Sequence, residues 1–156
     1  MSNDTDEQLS NQPLGTILFS VEARFVKLDR IGVVPEGERV NAHFMGDVTG
    51  VLGPGKLRGI DYSLKRPDGV VAIHVHEVFS SDENYMIAIE RQGVGTPEGE
   101  TLLSLSGTGW ARTAREDQAW LNDSPLVWRG SVNKQTGSLT LRFYAIRTTG
   151  APAVEP

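Results

Sequence analysis

The sequence predicts an all-β protein, folded as a single closed antiparallel β-barrel of about eight strands. Apolar residues recur at spacing two far more often than at spacings of three or four. Turn-forming residues interrupt this alternation roughly every ten positions, and a chain of 156 residues has the size of one compact domain. A closed barrel and a sandwich both protect the exposed edges of a long meander. The barrel is preferred because glycines in the long strands fit a curved sheet.

The first part of the domain divides into five strands. They are predicted at residues 16–28, 39–47, 57–64, 70–79 and 85–92. Within the first strand, apolar and polar residues alternate, as expected for a strand with one buried face. Turn residues separate the strands, for example at 35–37 and at 66–69. Glycines inside the strands, such as Gly46 and Gly59, suit a curved sheet.

The second part gives three further strands and one short helical segment. The strands are predicted at residues 102–108, with a continuation to 113 left open, and at 126–132 and 139–146. Only residues 114–122 suit a helical turn. The barrel domain is therefore expected at 14–148. The polar residues 1–13 and the Ala- and Pro-rich residues 149–156 are expected to be disordered, frayed tails.

Composition excludes several classes of function. With no Cys, the chain has no disulfide, thiolate zinc site, iron–sulfur ligand or Cys nucleophile. No stretch approaches the roughly 20 apolar residues of a membrane helix, and the acidic N-terminus is unlike a basic signal peptide. We therefore expect a cytoplasmic protein with no membrane partner. Four of the 20 acidic residues lie in the two tails, so the folded body has 16 acidic and 15 basic residues and is nearly neutral. No nucleic acid partner is therefore expected.

A glycine-rich segment at residues 50–56 matches most of a phosphate-binding loop. Leu57 stands where Ser or Thr would hold magnesium, and a strand rather than a helix follows. The segment is therefore interpreted as a hairpin loop, and no cofactor is expected.

Two histidines stand two residues apart in the fourth predicted strand. His74 and His76 project from the same face, and His43 of another strand could join them. Three imidazoles can hold zinc, one or two can transfer protons or contact a ligand, and histidines also serve as structural hydrogen-bonding groups. No Glu follows His76 at the spacing of a cupin metal motif, and the adjacent Glu77 points to the other face. No metal is therefore assigned.

Asp61 is the candidate general base. It shares one strand face with small and apolar residues, namely Leu57, Gly59 and Ser63. A carboxyl on an inward face needs a partner or has a raised pKa. The alternatives are a solvated edge residue or a structural salt bridge to Arg112 or Arg39.

The orientation of the fourth strand stays open. The face opposite the histidines carries Val71, Ile73, Val75 and Phe79, and is the more apolar one. It could therefore form the core and leave His74 and His76 outside.

Several short motifs resemble an uncharacterised bacterial and fungal family of single-domain proteins. They are Pro35-Glu36-Gly37-Glu38-Arg39, Gly46-Asp47-Val48-Thr49-Gly50, Leu57-Arg58-Gly59, Asp61-Tyr62, Arg66-Pro67-Asp68-Gly69-Val70 and Ala119-Trp120-Leu121-Asn122. The match spans about residues 18–146. The family's fold resembles allene oxide cyclase, a closed antiparallel barrel often seen as an oligomer. The resemblance implies a similar, lipocalin-like barrel and a homo-oligomer, expected to be a dimer.

The leading hypothesis is a cofactor-independent isomerase, cyclase or lyase that acts on a small, largely apolar carbonyl compound in the barrel cavity. Asp61 or His76 would abstract a proton, the other group or His74 would return it, and Arg112 or Tyr62 would stabilise the oxyanion. The residues expected to contact substrate are His43, Tyr62, Trp110, Trp128 and Arg39. The alternatives are a non-catalytic carrier or sensor of a small apolar molecule and a metal-dependent lyase or dioxygenase built on the three histidines.

Overall fold

The computed structural model describes residues 16–146 as one barrel. Its strands are β1 (Thr16–Val34), β2 (Gly37–Thr49), β3 (Gly55–Lys65), β4 (Val71–Ser81), β5 (Met86–Glu98), β6 (Leu102–Thr113), β7 (Leu126–Asn133) and β8 (Ser138–Ala145). A 3-10 helix, Glu116–Asp123, connects β6 to β7. The tails predicted at 1–13 and 149–156 lie outside the described residues.

The barrel is closed by antiparallel pairing throughout. Each strand pairs with the next one in sequence, and β8 pairs with β1. This confirms the predicted eight-stranded antiparallel barrel. Within the described residues, no helix has both the length and the apolar character needed to cross a membrane.

Strand β1 extends to Val34, beyond the predicted end at residue 28. The predicted end is too early because two irregularities interrupt the alternation of apolar and polar residues. The pairing of β1 with β2 shifts register between Phe25 and Lys27 and again between Arg30 and Gly32. Such bulges change which residues face inward, so the period-two pattern fades before the strand ends. Past Arg24, β1 pairs in register only with β2 and extends beyond β8.

The core fills the interior of the barrel with alternate residues from every strand. The largest fully buried side chains are Trp128, Phe44, Phe79, Phe143, Leu18, Leu57, Ile87, Leu121, Leu126 and Leu141. The buried rings of Phe19 and Phe79 pack with their centroids 4.8 Å apart. Close packing of this kind leaves free space in only part of the interior.

The two ends of the barrel differ. At one end, the 3-10 helix buries Leu121 completely, and Gln118 Nε2 donates a 3.0 Å hydrogen bond to the hydroxyl of Tyr85. The Tyr85 hydroxyl in turn donates to the carbonyl of Leu52, at 3.4 Å. These contacts cover that end. Among residues 16–146, the other end carries only the tight turns that follow β1, β3, β5 and β7.

Candidate functional site

The interior of the barrel contains a cavity of about 330 Å³. Most of its wall is apolar and includes Phe44, Ile73, Val75, Leu105 and Val132. Its residues lie towards the end that carries the tight turns. We call this cavity the lumen. Its volume lies at the lower limit of ordinary small-molecule sites, about 300–1,000 Å³.

Asp61 lines the lumen from β3. Its neighbours across the sheet are Ala42 of β2 and Val75 of β4. One carboxylate oxygen accepts a 3.2 Å hydrogen bond from the backbone N–H of His74. Burial raises the pKa of Asp61 to about 6, and this hydrogen bond and the nearby Arg91 only partly oppose the effect. The inward position predicted from alternation is therefore observed, and the carboxyl can gain or lose a proton near neutral pH.

A buried ion pair lies beside Asp61. Arg91 of β5 donates a hydrogen bond from Nε to Glu77 of β4, and their side chains are 3% and 0% exposed. Burial raises the pKa of Glu77, although the Arg91 charge opposes this. Within the described part of the chain, the second carboxylate oxygen of Glu77 has no hydrogen-bond partner. The ion pair therefore leaves one oxygen of Glu77 buried in the apolar core without a hydrogen bond from any described residue.

Aromatic rings hold the Arg91 guanidinium in place. Its central carbon lies 4.6 Å from the ring centroid of Trp128 and 5.3 Å from that of Phe143. The Trp128 indole N–H donates a 3.0 Å hydrogen bond to the carbonyl of Thr108. The indole is fully buried next to Arg91 and is not part of the lumen wall. Trp128, predicted as a ligand contact, therefore supports Arg91, which does line the lumen.

Glycines provide the space that the ion pair occupies. A Cβ at Gly59 would lie 2.6 Å from the Cβ of Glu77, and a Cβ at Gly109 would lie 2.8 Å from the Cβ of Arg91. Gly59 is paired with Glu77, and Gly109 with Arg91. A larger residue at either position would displace a buried charged side chain.

Charged residues surround the mouth of the lumen. Among the described residues, Arg30, Lys65, Lys134 and Glu38 line the cavity at the end with the tight turns, and all four are exposed. Three positive charges and one negative charge favour an anionic group at this opening.

The two histidines of β4 lie on the other side of the barrel wall. The side chains of His74 and His76 are 52% and 55% exposed, whereas Val75 between them is buried. The expectation that Asp61 and His76 share a cavity is therefore wrong. The alternative, in which the more apolar face of this strand forms the core, is what the structure has. Adjacent residues of a strand point to opposite faces of the sheet. Because the apolar face of β4 points into the barrel, the histidines point outward.

The other predicted site residues lie on the outer wall. Arg112 donates hydrogen bonds to the carbonyls of Ala111 and Asn122, at 2.9 and 3.1 Å. Tyr62 and Trp110 are 38% and 42% exposed. None of these predicted residues can reach Asp61 through the lumen, which corrects the expected oxyanion roles of Arg112 and Tyr62.

Two further predicted contacts are also outside the lumen. His43 is hydrogen-bonded through Nε2 to Asp29, at 2.8 Å. Arg39 occupies an outward position on β2 opposite Leu64, because Ala42 and Phe44 set the inward face of that strand. Neither residue lines the lumen.

A second concave surface lies on the outside of the barrel. This outer groove has a volume of about 610 Å³ and includes His43, Ile60, His76, Trp110 and Arg112. It is larger than the lumen but more open to solvent. The lumen encloses a ligand better, and it alone of the two is lined by Asp61.

The three histidines do not form one metal site. Within residues 16–146, the group that could hold a metal ion consists of His74, His76 and Glu90, whose ligand atoms all lie within 4.8 Å of one another. His43 is not part of it. The third member of this group, Glu90, comes from β5, where it pairs with His76. The local sequence around the histidines does not reveal it.

Sequence reasoning gave no role to Arg91 and Glu77. Both stand at inward positions of their strands, where alternation predicts apolar residues. Charged residues at two inward positions on neighbouring strands are the signal that could have identified them.

The fold and the lumen define a closed, eight-stranded antiparallel β-barrel with an internal cavity. No protein-family model matches the chain, and no curated protein matches it. A protein of unknown function from Clostridium acetobutylicum has a similar structure, with 24% identity, a TM-score of 0.74, and coverage of 84% of this chain and 97% of the other.

Two further solved structures are similar. A conserved protein of unknown function from Rhodopseudomonas palustris is 17% identical, with a TM-score of 0.73 over 83% of this chain and 95% of the other. A β-barrel-like protein from Acinetobacter baumannii is 17% identical, with a TM-score of 0.72 over 83% and 93%. These likenesses show the barrel fold. The finer resemblance to allene oxide cyclase stays a prediction, as does the dimer.

Proposed function

We propose that the lumen binds a small, largely apolar carbonyl compound and that Asp61 moves a proton on it, as a cofactor-independent isomerase, cyclase or lyase does. One observation carries this proposal. Asp61 and Arg91 line the same apolar cavity. A proton acceptor and a fixed positive charge are the two groups that enolate chemistry needs.

Asp61 is suited to both halves of a proton transfer. With its pKa raised to about 6, it is mostly ionised at pH 7 and can remove a proton next to a carbonyl. Once protonated, the same carboxyl can return the proton at another atom. General acid–base catalysis of this kind contributes about 100- to 10,000-fold in rate. The roles expected for His76 and His74 thus pass to Asp61 alone.

Arg91 is proposed to stabilise the negative charge that develops on the substrate oxygen. Glu77 and the Trp128 ring fix its orientation, so the guanidinium needs no rearrangement during the reaction. Burial strengthens its effect, because charges interact more strongly away from water.

The mouth suggests how the ligand lies. Arg30, Lys65 and Lys134 would attract an anionic substituent, and Glu38 only partly balances their charge. The apolar part would extend inward along Val75 and Leu105. The ligand class is therefore a carbonyl compound with an apolar body and one acidic end.

Hydrogen exchange on candidate substrates tests the proposal. A panel of keto acids with apolar chains is incubated with the protein in deuterated water, and deuterium next to the carbonyl is followed by NMR. We expect exchange with the wild-type protein and at least a hundredfold slower exchange with Asp61→Asn. Asp47→Asn, the same substitution at an exposed position, serves as the control.

Two results would overturn the assignment of Asp61. One is an Asp61→Asn variant that exchanges as fast as the wild-type protein. The other is loss of exchange in His76→Gln but not in Asp61→Asn, which would place the chemistry on the outer wall.

A non-catalytic carrier or sensor is the second candidate. It is favoured by the pairing of Arg91 with Glu77, because the carboxylate of Glu77 balances the positive charge that the enzyme mechanism assigns to a substrate oxygen. Organic extraction of the purified protein followed by mass spectrometry tests it. A ligand that co-purifies unchanged, binds Asp61→Asn equally well and shows no deuterium exchange would support the carrier.

A further inference from the structure

The outer wall of the barrel carries a group of side chains that the lumen does not use. His74 and His76 project from β4, and Glu90 projects from β5 directly opposite His76. All three side chains are accessible, with exposures of 52%, 55% and 35%. They lie on the opposite side of the wall from Asp61, so their chemistry is separate from that of the lumen.

The ligand atoms of this group all lie within 4.8 Å of one another, and the two distances to Glu90 match the edges of a metal coordination sphere. One oxygen of Glu90 lies 3.2 Å from Nε2 of His74 and 3.6 Å from Nε2 of His76. Two ligands bound to zinc at about 2.0–2.1 Å in tetrahedral geometry are roughly 3.3 Å apart. A metal ion at this position would take the place of the hydrogen bond between Glu90 and His74.

We propose that His74, His76 and Glu90 bind a divalent transition-metal ion of the zinc type on the outer wall. Two imidazoles and one carboxylate favour zinc, nickel or copper over magnesium or calcium, which prefer oxygen ligands alone. Each imidazole must present a nitrogen without a hydrogen to the metal, so the hydrogen bond between His74 Nε2 and Glu90 is lost on binding.

Neighbouring side chains support the arrangement. The ring of Tyr62 lies against both imidazoles, with centroid distances of 6.3 Å to His74 and 6.0 Å to His76. It limits how far the two rings can turn away. The strands themselves set the spacing of the ligands, because residues two apart on β4 share a face and Glu90 lies across the ladder.

Three protein ligands leave one tetrahedral position for water or another ligand. His76, Glu90, Trp110 and Arg112 all line the outer groove of about 610 Å³. The open position therefore faces a surface with an aromatic ring and a cation. An anionic ligand could bind the metal and Arg112 together, which distinguishes this site from a closed structural zinc site.

Zinc binding by the protein alone tests the proposal. Protein without a histidine tag is titrated with zinc chloride at pH 7.5 in competition with a chromophoric chelator. We expect one zinc per chain in the wild-type protein, and at least tenfold weaker binding in each of His74→Gln, His76→Gln and Glu90→Gln. His43→Gln is the matched control, since His43 lies on the same outer wall but pairs with Asp29, and it should bind as the wild-type protein does.

Cobalt provides a second readout. Cobalt bound by two imidazoles, a carboxylate and water should give the intense visible absorption of a four-coordinate ion, and Glu90→Gln should reduce it. The three ligands are accessible to solvent, so substituting them should leave the barrel folded. Circular dichroism checks that each variant is folded. Wild-type binding no tighter than that of Glu90→Gln, or equal loss in His43→Gln, would overturn the proposal.

Discussion

Replacing Asp61 by Asn should change how the stability of the barrel depends on pH. In the folded protein the pKa of Asp61 is raised from 3.8 to about 6, because the ionised carboxyl is poorly solvated inside the lumen. The folded state thus holds its proton to a higher pH than the unfolded chain does. Ionisation consequently costs the folded state free energy, and stability falls as pH rises from about 4 to about 6.

The size of the effect follows from the two pKa values. Because one pKa unit corresponds to about 1.4 kcal/mol, a rise from 3.8 to about 6 costs the folded state about 3 kcal/mol above pH 6. Below pH 3.8 both states are protonated and the cost disappears. Asn carries no charge, so the variant escapes this cost, and its amide oxygen can still accept the hydrogen bond from His74.

Urea unfolding, followed by tryptophan fluorescence between pH 3.5 and 8, measures this difference. The free energy of unfolding of Asp61→Asn, relative to wild type, should increase by about 3 kcal/mol from the lower to the higher pH. Asp47→Asn is the control. The pKa of Asp47 is lowered by its hydrogen bond and ion pair with Lys56, so any effect there has the opposite sign. A difference between Asp61→Asn and wild type that does not vary with pH would show that the pKa of Asp61 is not raised in the folded protein.

Two further predictions concern the ion pair and the mouth. Glu77→Gln leaves the buried Arg91 without its countercharge. It should lower the free energy of unfolding at pH 7, measured by urea unfolding, by about 3–5 kcal/mol. A loss below 1 kcal/mol would contradict the buried pair. Lys65→Glu combined with Lys134→Glu reverses the charge at the mouth and should weaken binding of the fluorescent anion anilinonaphthalene sulfonate at least tenfold. That effect should shrink at high salt because exposed charges are screened, and an unchanged affinity would argue against an anionic end at the mouth.

The strands were predictable because each one alternates apolar and polar residues. In β2, for example, Ala42 and Phe44 face inward and His43 faces outward, as the sequence indicates. The extension of β1 to Val34 was not predictable, because its two register shifts break the period of two.

The candidate site was only partly predictable for a different reason. Alternation placed Asp61 inward, but in β4 it left two orientations open, and the chemistry of the histidines favoured the wrong one. The apolar side chains of Ile73 and Val75 decided the matter, because burying them stabilises the barrel and exposed imidazoles cost little. The buried positions of Arg91 and Glu77 were not predictable from either residue alone, because each charge is stable in the core only when it is paired with the other.

Whether the lumen is the ligand site is tested most directly by determining where a ligand binds. In a sample with labelled Ile, Leu and Val methyl groups, NMR contacts to bound anilinonaphthalene sulfonate distinguish the lumen from the outer groove. A ligand bound in the lumen should contact the methyl groups of Val75 and Leu105, which line it. Contacts to Ile60 and Val78 instead, which line the outer groove, would contradict binding in the lumen.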